Sequence, residues 1–191
     1  MIKGVHTEDY DNRQITNIDG YPPETASFTN CTFTGCDLSG KQLSGSLETC
    51  VFKDCNLSLT VFQGAKLQDV SFISCKLEGV DFTKCNKLGL GLSFRECLIR
   101  SCNFNFLELK KTSFTQCDLI ETDFVGADLE TAVFNQTRFN TVTFHNTNLS
   151  KADFSEASDY LINPLTNNIK GAKFSLPDAV SLLECMGIKL V

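Results

Sequence analysis

The chain has 191 residues and a mass of 21.1 kDa, a length that fits about one domain. Apolar residues make up 42% and charged residues 21%, which excludes global disorder. A formal charge of -6 excludes a polycation drawn to bare phosphate backbones, so no direct nucleic-acid binding is expected.

No apolar run approaches the ~20 residues needed to cross a bilayer, and the first ten residues lack the apolar core of a signal peptide. The expectation is a soluble, cytoplasmic protein without membrane association. Residues 1–25 carry Glu8, Asp9, Asp11, Asp19 and Glu24 against Lys3 and Arg13, with Tyr21-Pro22-Pro23 near their end. They read as an N-terminal lead-in or cap.

From Phe28 to Phe154, Phe or Leu recurs every five residues. One residue is missing between Leu43 and Leu47, and two are extra between Phe82 and Phe94, in the stretch 86–92. A small or apolar residue sits two positions before each large one, and nine of the ten cysteines occupy this slot. The position between is polar, as in Asp37, Asn56, Asp81, Asn103 and Asp123. A period of five fits neither a helix at 3.6 nor a long strand at 2. It demands short in-out-in strands joined by regular polar corners, which describes a solenoid over residues 26–158.

After Ala157 the rhythm dissolves and resumes once at Ala172-Lys-Phe174. The stretch from Ser175 to Gly187 has helix grammar: Ser175 as N-cap, Pro177 in the first turn, Asp178 completing a capping box and Gly187 as terminator. Leu176, Val180, Leu183 and Met186 share one face, and Ile188 and Leu190 add an apolar tail. Residues 159–191 thus read as a C-terminal segment whose apolar face is either a simple cap or part of a two-fold interface.

The units Cys36-Asp-Leu-Ser-Gly40, Ala127-Asp-Leu-Glu-Thr131 and Ala152-Asp-Phe-Ser-Glu156 resemble the pentapeptide-repeat family. The resemblance implies an all-β solenoid, a right-handed quadrilateral parallel β-helix with twenty residues per coil, here followed by a short C-terminal α-helix. Counting by twenty with the two breaks then stacks Phe33, Phe52, Phe72, Phe94, Phe114, Phe134 and Phe154 in one ladder. Phe62, Phe82, Phe104, Phe124 and Phe144 form a second. Leu38, Leu57, Leu77, Ile99 and Leu119 form a third, and Leu47, Leu67, Leu109, Leu129 and Leu149 a fourth. With strands ~4.8 Å apart, the repeat amounts to roughly six to seven coils, a rod of about 30 Å.

The same count aligns Cys36, Cys55, Cys75, Cys97 and Cys117 in an interior column. None has the C-x-x-C spacing of a zinc site, and a small thiol packs well as a soft hydrophobe, so packing is the expected role. His6 and His145 have no evident catalytic companion, and no phosphate loop or H-E-x-x-H motif is present. The expectation is a protein that is not an enzyme and has no metal and no cofactor.

Gly171-Ala-Lys-Phe, Ser-Leu-Leu and Met-Gly-Ile-Lys near the C-terminus look like the ending of the quinolone-resistance (Qnr-like) branch of the family, and Leu88-Gly-Leu-Gly-Leu resembles that branch's irregular midpoint. This resemblance implies a bacterial homodimer joined through the C-terminus, with Leu176, Val180, Leu183, Met186, Ile188 and Leu190 as interface. It also implies an acidic DNA mimic that binds DNA gyrase or topoisomerase IV and protects it from quinolones. Between residues 112 and 137 five acids occur without a Lys or Arg. The candidate partner-binding surface is Asp81, Glu108, Asp118, Glu121, Asp123, Asp128 and Glu130. The repeat as a whole holds fifteen acidic and twelve basic residues, and the long loops of some quinolone-resistance proteins are missing. A protein-interaction scaffold with an unidentified partner is therefore the alternative.

Overall fold

The computed structural model describes residues 8–18 and 26–188. The five-residue rhythm becomes four walls around a closed core, with one pentapeptide per wall. On the first face, strands Asp9–Asp11, Ser27–Thr29, Ser46–Glu48 and Lys66–Gln68 pair in parallel, and bridges through Glu108, Asp128, Asn148 and Asn168 continue the wall. The second face holds six paired strands from Gln14–Ile15 to Ser113–Thr115 and ends in the pair Asp153–Phe154 and Lys173–Phe174. The third holds Lys76–Glu78, Leu98–Arg100, Asp118–Ile120 and Arg138–Asn140. The fourth is built from single bridges, among them Asp81 to Asn103 and Asn103 to Asp123. The result is a right-handed parallel β-helix of about eight turns with one short C-terminal helix.

Eight turns at ~4.8 Å make a rod of roughly 38 Å, longer than the expected six to seven coils. The extra length lies at both ends. Tyr10 stacks on Phe28 at 5.2 Å and Ile15 is paired with Phe33, so coils are already under way before residue 26; at the far end Phe174 stacks on Phe154 at 5.2 Å.

The four ladders fill the interior. Phe33, Phe52, Phe72, Phe94, Phe114, Phe134 and Phe154 stack face to face with centroids 4.5–5.2 Å apart. The column Phe62, Phe82, Phe104, Phe124 and Phe144 does the same opposite them. Across the lumen the two columns meet edge to face, as in Phe104 against Phe114 at 90° and 6.0 Å, the arrangement that a ring quadrupole favours. With all these rings buried, the core is a continuous aromatic stack walled by Leu and Ile.

Coil length follows the two phase breaks. The step is 19 residues from Phe28 to Leu47, 20 from Phe52 to Phe72, 22 from Phe72 to Phe94 and 20 again from Phe94 to Phe114. A glycine stands at the 19-residue and at the 22-residue step because the backbones close in. A Cβ on Gly45 would lie 1.8 Å from the Ala26 carbonyl oxygen, and one on Gly91 would lie 2.9 Å from the Asp69 nitrogen. A further short step of 18 residues, from Ile15 to Phe33, precedes the regular repeat.

The C-terminal helix is shorter than its sequence signals imply. It runs over Val180–Cys185, and its N-cap, Ala179, makes no side-chain cap bond. Ser175 and Asp178 do not form the expected capping box: the Ser175 hydroxyl donates to the Ser155 carbonyl, and Asp178 accepts from the Asp159 amide at 3.0 Å. Both capping groups are used instead to tie the segment to the last coil. Leu182 faces the core, and Tyr160 plugs the end of the lumen with its hydroxyl unpartnered, which raises its pKa to about 12 through burial.

Candidate protein-binding surface

The small inward slot explains the cysteines. A side chain there lies under the carbonyl of the preceding coil, so Cys55 and Cys75 point Sγ at the Phe33 and Phe52 carbonyl oxygens at 3.5 and 3.4 Å. Threonine does the same where it fills the slot: the Thr137 and Thr147 hydroxyls donate to the Phe114 and Phe124 carbonyls at 2.7 and 2.8 Å. Thiol and hydroxyl are interchangeable donors of matching size here. Burial pushes the thiol of Cys50 up to about 11 and that of Cys102 to about 12, the opposite of what a nucleophile or metal ligand needs. Among the described residues no group of three or more His, Cys, Asp or Glu side chains is placed to hold a metal ion.

The polar position before each large residue has its own local task. Asp37, Asp81, Asn103, Asp128 and Asp153 each accept from the backbone N–H two residues on, at 3.0 Å, and so lock the corner. Two members of the acidic set, Asp81 and Asp128, are therefore corner braces before they are anything else.

The seven acids spread over three faces, as successive pentapeptides require. Arg138 clasps Asp118 through Nε at 3.0 Å and Nη2 at 2.9 Å. Lys110 lies 3.3 Å from Asp128 and 3.4 Å from Glu130, and Lys151 lies 3.2 Å from Glu130. Those lysines hold the Glu130 carboxyl below its ordinary range, Lys151 first and Lys110 next. Asp81 has Lys84 at 4.0 Å, and Glu121 accepts from the Ser101 hydroxyl at 3.1 Å. Among the described residues, no hydrogen bond or ion pair engages the carboxylates of Asp123 and Glu108. A concavity of about 600 Å³ is an open groove beside Asp118, Arg138, Phe139 and Leu161, and the Asp118–Arg138 pair lies along it.

At the far end Leu176 is 80% exposed, Leu183, Met186 and Ile188 are also exposed, and Val180 is partly covered. Leu190 falls outside the described residues. Sequence reasoning missed Leu59 and Phe106, two exposed apolar residues at corners; the signal was a large apolar side chain two places after Leu57 and Phe104, where other units carry glycine or a polar residue.

The repeat itself decides the family. The family profile for a pentapeptide repeat region matches residues 26–104, and that for pentapeptide repeats (8 copies) matches 97–136 and 126–158. The chain belongs to the pentapeptide-repeat family. Among solved structures, this pentapeptide-repeat protein is similar to a trypsin-treated form of QnrB1, a plasmid-mediated fluoroquinolone resistance protein. The TM-score is 0.66 at 19% identity, covering 97% of this chain and 98% of that one. A second trypsin-treated QnrB1 variant gives a TM-score of 0.71 at 18% identity, covering 96% and 92%. No curated protein matches the sequence. At these identities the likeness is one of fold. Among the described residues, no helix is long and apolar enough to cross a membrane.

Proposed function

We propose that this pentapeptide-repeat protein is a non-enzymatic binding protein of the cytoplasm whose partner is a type II DNA topoisomerase, DNA gyrase or topoisomerase IV, and that it modulates quinolone action on that enzyme. The observation that carries the reading is a rigid acidic rod, similar in fold along nearly its whole length to a fluoroquinolone resistance protein, on which Asp123 and Glu108 are left unneutralised. Mimicry of DNA is confined in this reading to one edge. Duplex DNA carries a charge every ~1.7 Å, whereas Arg138, Lys110 and Lys151 interrupt the acids elsewhere on the rod. Those interruptions favour the second reading, a scaffold for a different protein. The protein acts as a homodimer joined at its exposed C-terminal apolar residues, Leu176, Leu183, Met186 and Ile188.

Gyrase supercoiling with the purified protein titrated in, with and without ciprofloxacin, tests the reading. Inhibition or drug protection is expected, and Asp123→Lys is expected to weaken it without loss of fold. No effect at protein concentrations well above that of the enzyme transfers the function to another partner.

A further inference from the structure

The corner two residues after most large core residues turns with a positive φ, which glycine adopts freely and bulky apolar residues avoid. Among the described residues nineteen non-glycine residues take this conformation, and all but Leu59 and Phe106, both at φ 58°, are polar. These two side chains are 65% and 67% exposed, so burial does not offset the backbone preference. Each lies along a glycine of the next coil. A Cβ on Gly79 would come within 2.8 Å of Leu59 Cδ2, and one on Gly126 within 2.5 Å of Phe106 Cδ1. The glycines give these outward side chains a bed on the rod's surface.

The corner that carries Phe106 is braced through its backbone and its neighbour. The Phe106 amide donates to the Val125 carbonyl at 2.9 Å, the Lys87 ammonium donates to the Phe106 carbonyl at 3.4 Å, and the Asn105 side chain accepts from the Val125 amide at 2.6 Å. The ring stands at the corner between the fourth and first faces. Asp123 lies on the adjoining fourth-face ladder and Glu108 two residues beyond the ring on the first face, and these are the two carboxylates of the acidic set without a partner. An exposed aromatic ring at a corner whose two adjoining faces carry these carboxylates matches a cationic side chain: the ring offers its negative π-face and the acids supply the counter-charge.

We propose that Phe106, with Asp123 and Glu108, forms a docking point for a basic segment of a partner protein, an arginine laid on the ring and apolar neighbours packed along the same corner. This rests on reading the surface as protein-binding but not on gyrase as partner, so a negative supercoiling assay leaves it standing, and failure here leaves the supercoiling result standing.

The probe is a blocked pentapeptide of alternating leucine and arginine, with a leucine–glutamate pentapeptide as control, followed by NMR of ring-labelled phenylalanine. The arginine peptide is expected to shift the Phe106 ring signals saturably, and the glutamate peptide to leave them unmoved. Phe106→Gly should weaken binding about tenfold, and the pair Asp123→Asn with Glu108→Gln by at least as much. Phe106→Gly should also melt at or above the wild-type temperature, because glycine suits the corner and the ring supports nothing in the core. The proposal is overturned by no saturable shift up to millimolar peptide, by equal binding of both peptides, or by a Phe106→Gly protein that binds as well as wild type. A large fall in melting temperature for that variant would equally overturn it, since the ring would then be a structural element.

Discussion

Each position of the pentapeptide answers a separate physical demand, and side-chain identity follows from which demand it meets. The large residue fills the lumen, the small one fits under the carbonyl of the preceding coil, to which Cys or Thr there donates, and an Asp or Asn between them braces the corner. Phe114 illustrates the first demand, with Phe94 and Phe134 stacked on either side at 4.9 and 5.2 Å and Phe104 and Phe124 edge-on across the lumen. Removing the ring leaves a cavity in a stack that neighbouring coils cannot close, because their spacing is fixed by backbone bonds. Phe114→Ala should therefore cost about 3–5 kcal/mol in chemical denaturation, whereas Asp123→Lys, an outward change with no partner to lose, should stay within about 0.5 kcal/mol. Equal stability of wild type and Phe114→Ala would contradict the interior ladder. This division was legible in the sequence, since the same residue types recur at the same phase. What the sequence concealed was which carboxylates are engaged: Asp118 and Asp123 look alike in the repeat, and only the coil-to-coil register brings Arg138 onto the first and nothing onto the second.

At the scale of the coil, the pattern located the breaks but not how the backbone absorbs them. Deleting one residue between Leu43 and Leu47 draws that coil against the preceding one, and the slot that would hold a small side chain is reduced to Gly45, in contact with the Ala26 backbone. No side-chain rotation relieves a Cβ there, because the opposing atom is a carbonyl oxygen. Gly45→Ala should destabilise by about 3 kcal/mol, with the effect confined to the nearest coils. A solenoid's stability is a sum of neighbour terms, so the loss should show in hydrogen exchange as faster opening of residues 26–53 while residues 94–154 keep their protection. Uniform loss along the rod, or none, would show that the shortened coil is not the tight point. The ends were less legible for a related reason. Tyr10 and Ile15 join the ladders across an 18-residue step that no five-residue phase anticipates, and Ser175 and Asp178 satisfy helix-capping grammar yet bond to the last coil, because an open solenoid end offers competing partners.

A rod of stacked coils has two ends, and an end left open exposes backbone edges and the last rungs of its core. Here Tyr160 and Leu182 close the C-terminal end, yet the closing segment turns Leu176, Leu183, Met186 and Ile188 outward, and Leu161 beside the helix is itself 66% exposed. A cap that served only to end the solenoid would carry a polar outer face, as terminal repeats do. Several exposed apolar residues at one tip instead suit self-association about a two-fold axis, where the same patch meets its own copy. Light scattering should give twice 21.1 kDa at micromolar concentration. The double change Leu183→Glu with Met186→Glu should give 21.1 kDa with unaltered far-ultraviolet dichroism, since both side chains are exposed in the single chain and only the interface would lose by charging them. A concentration-independent mass of 21.1 kDa for the wild type would end the dimer and assign the patch to a different partner. The acidic corner at Phe106 would then work on a single rod of about eight turns rather than on a double-length one.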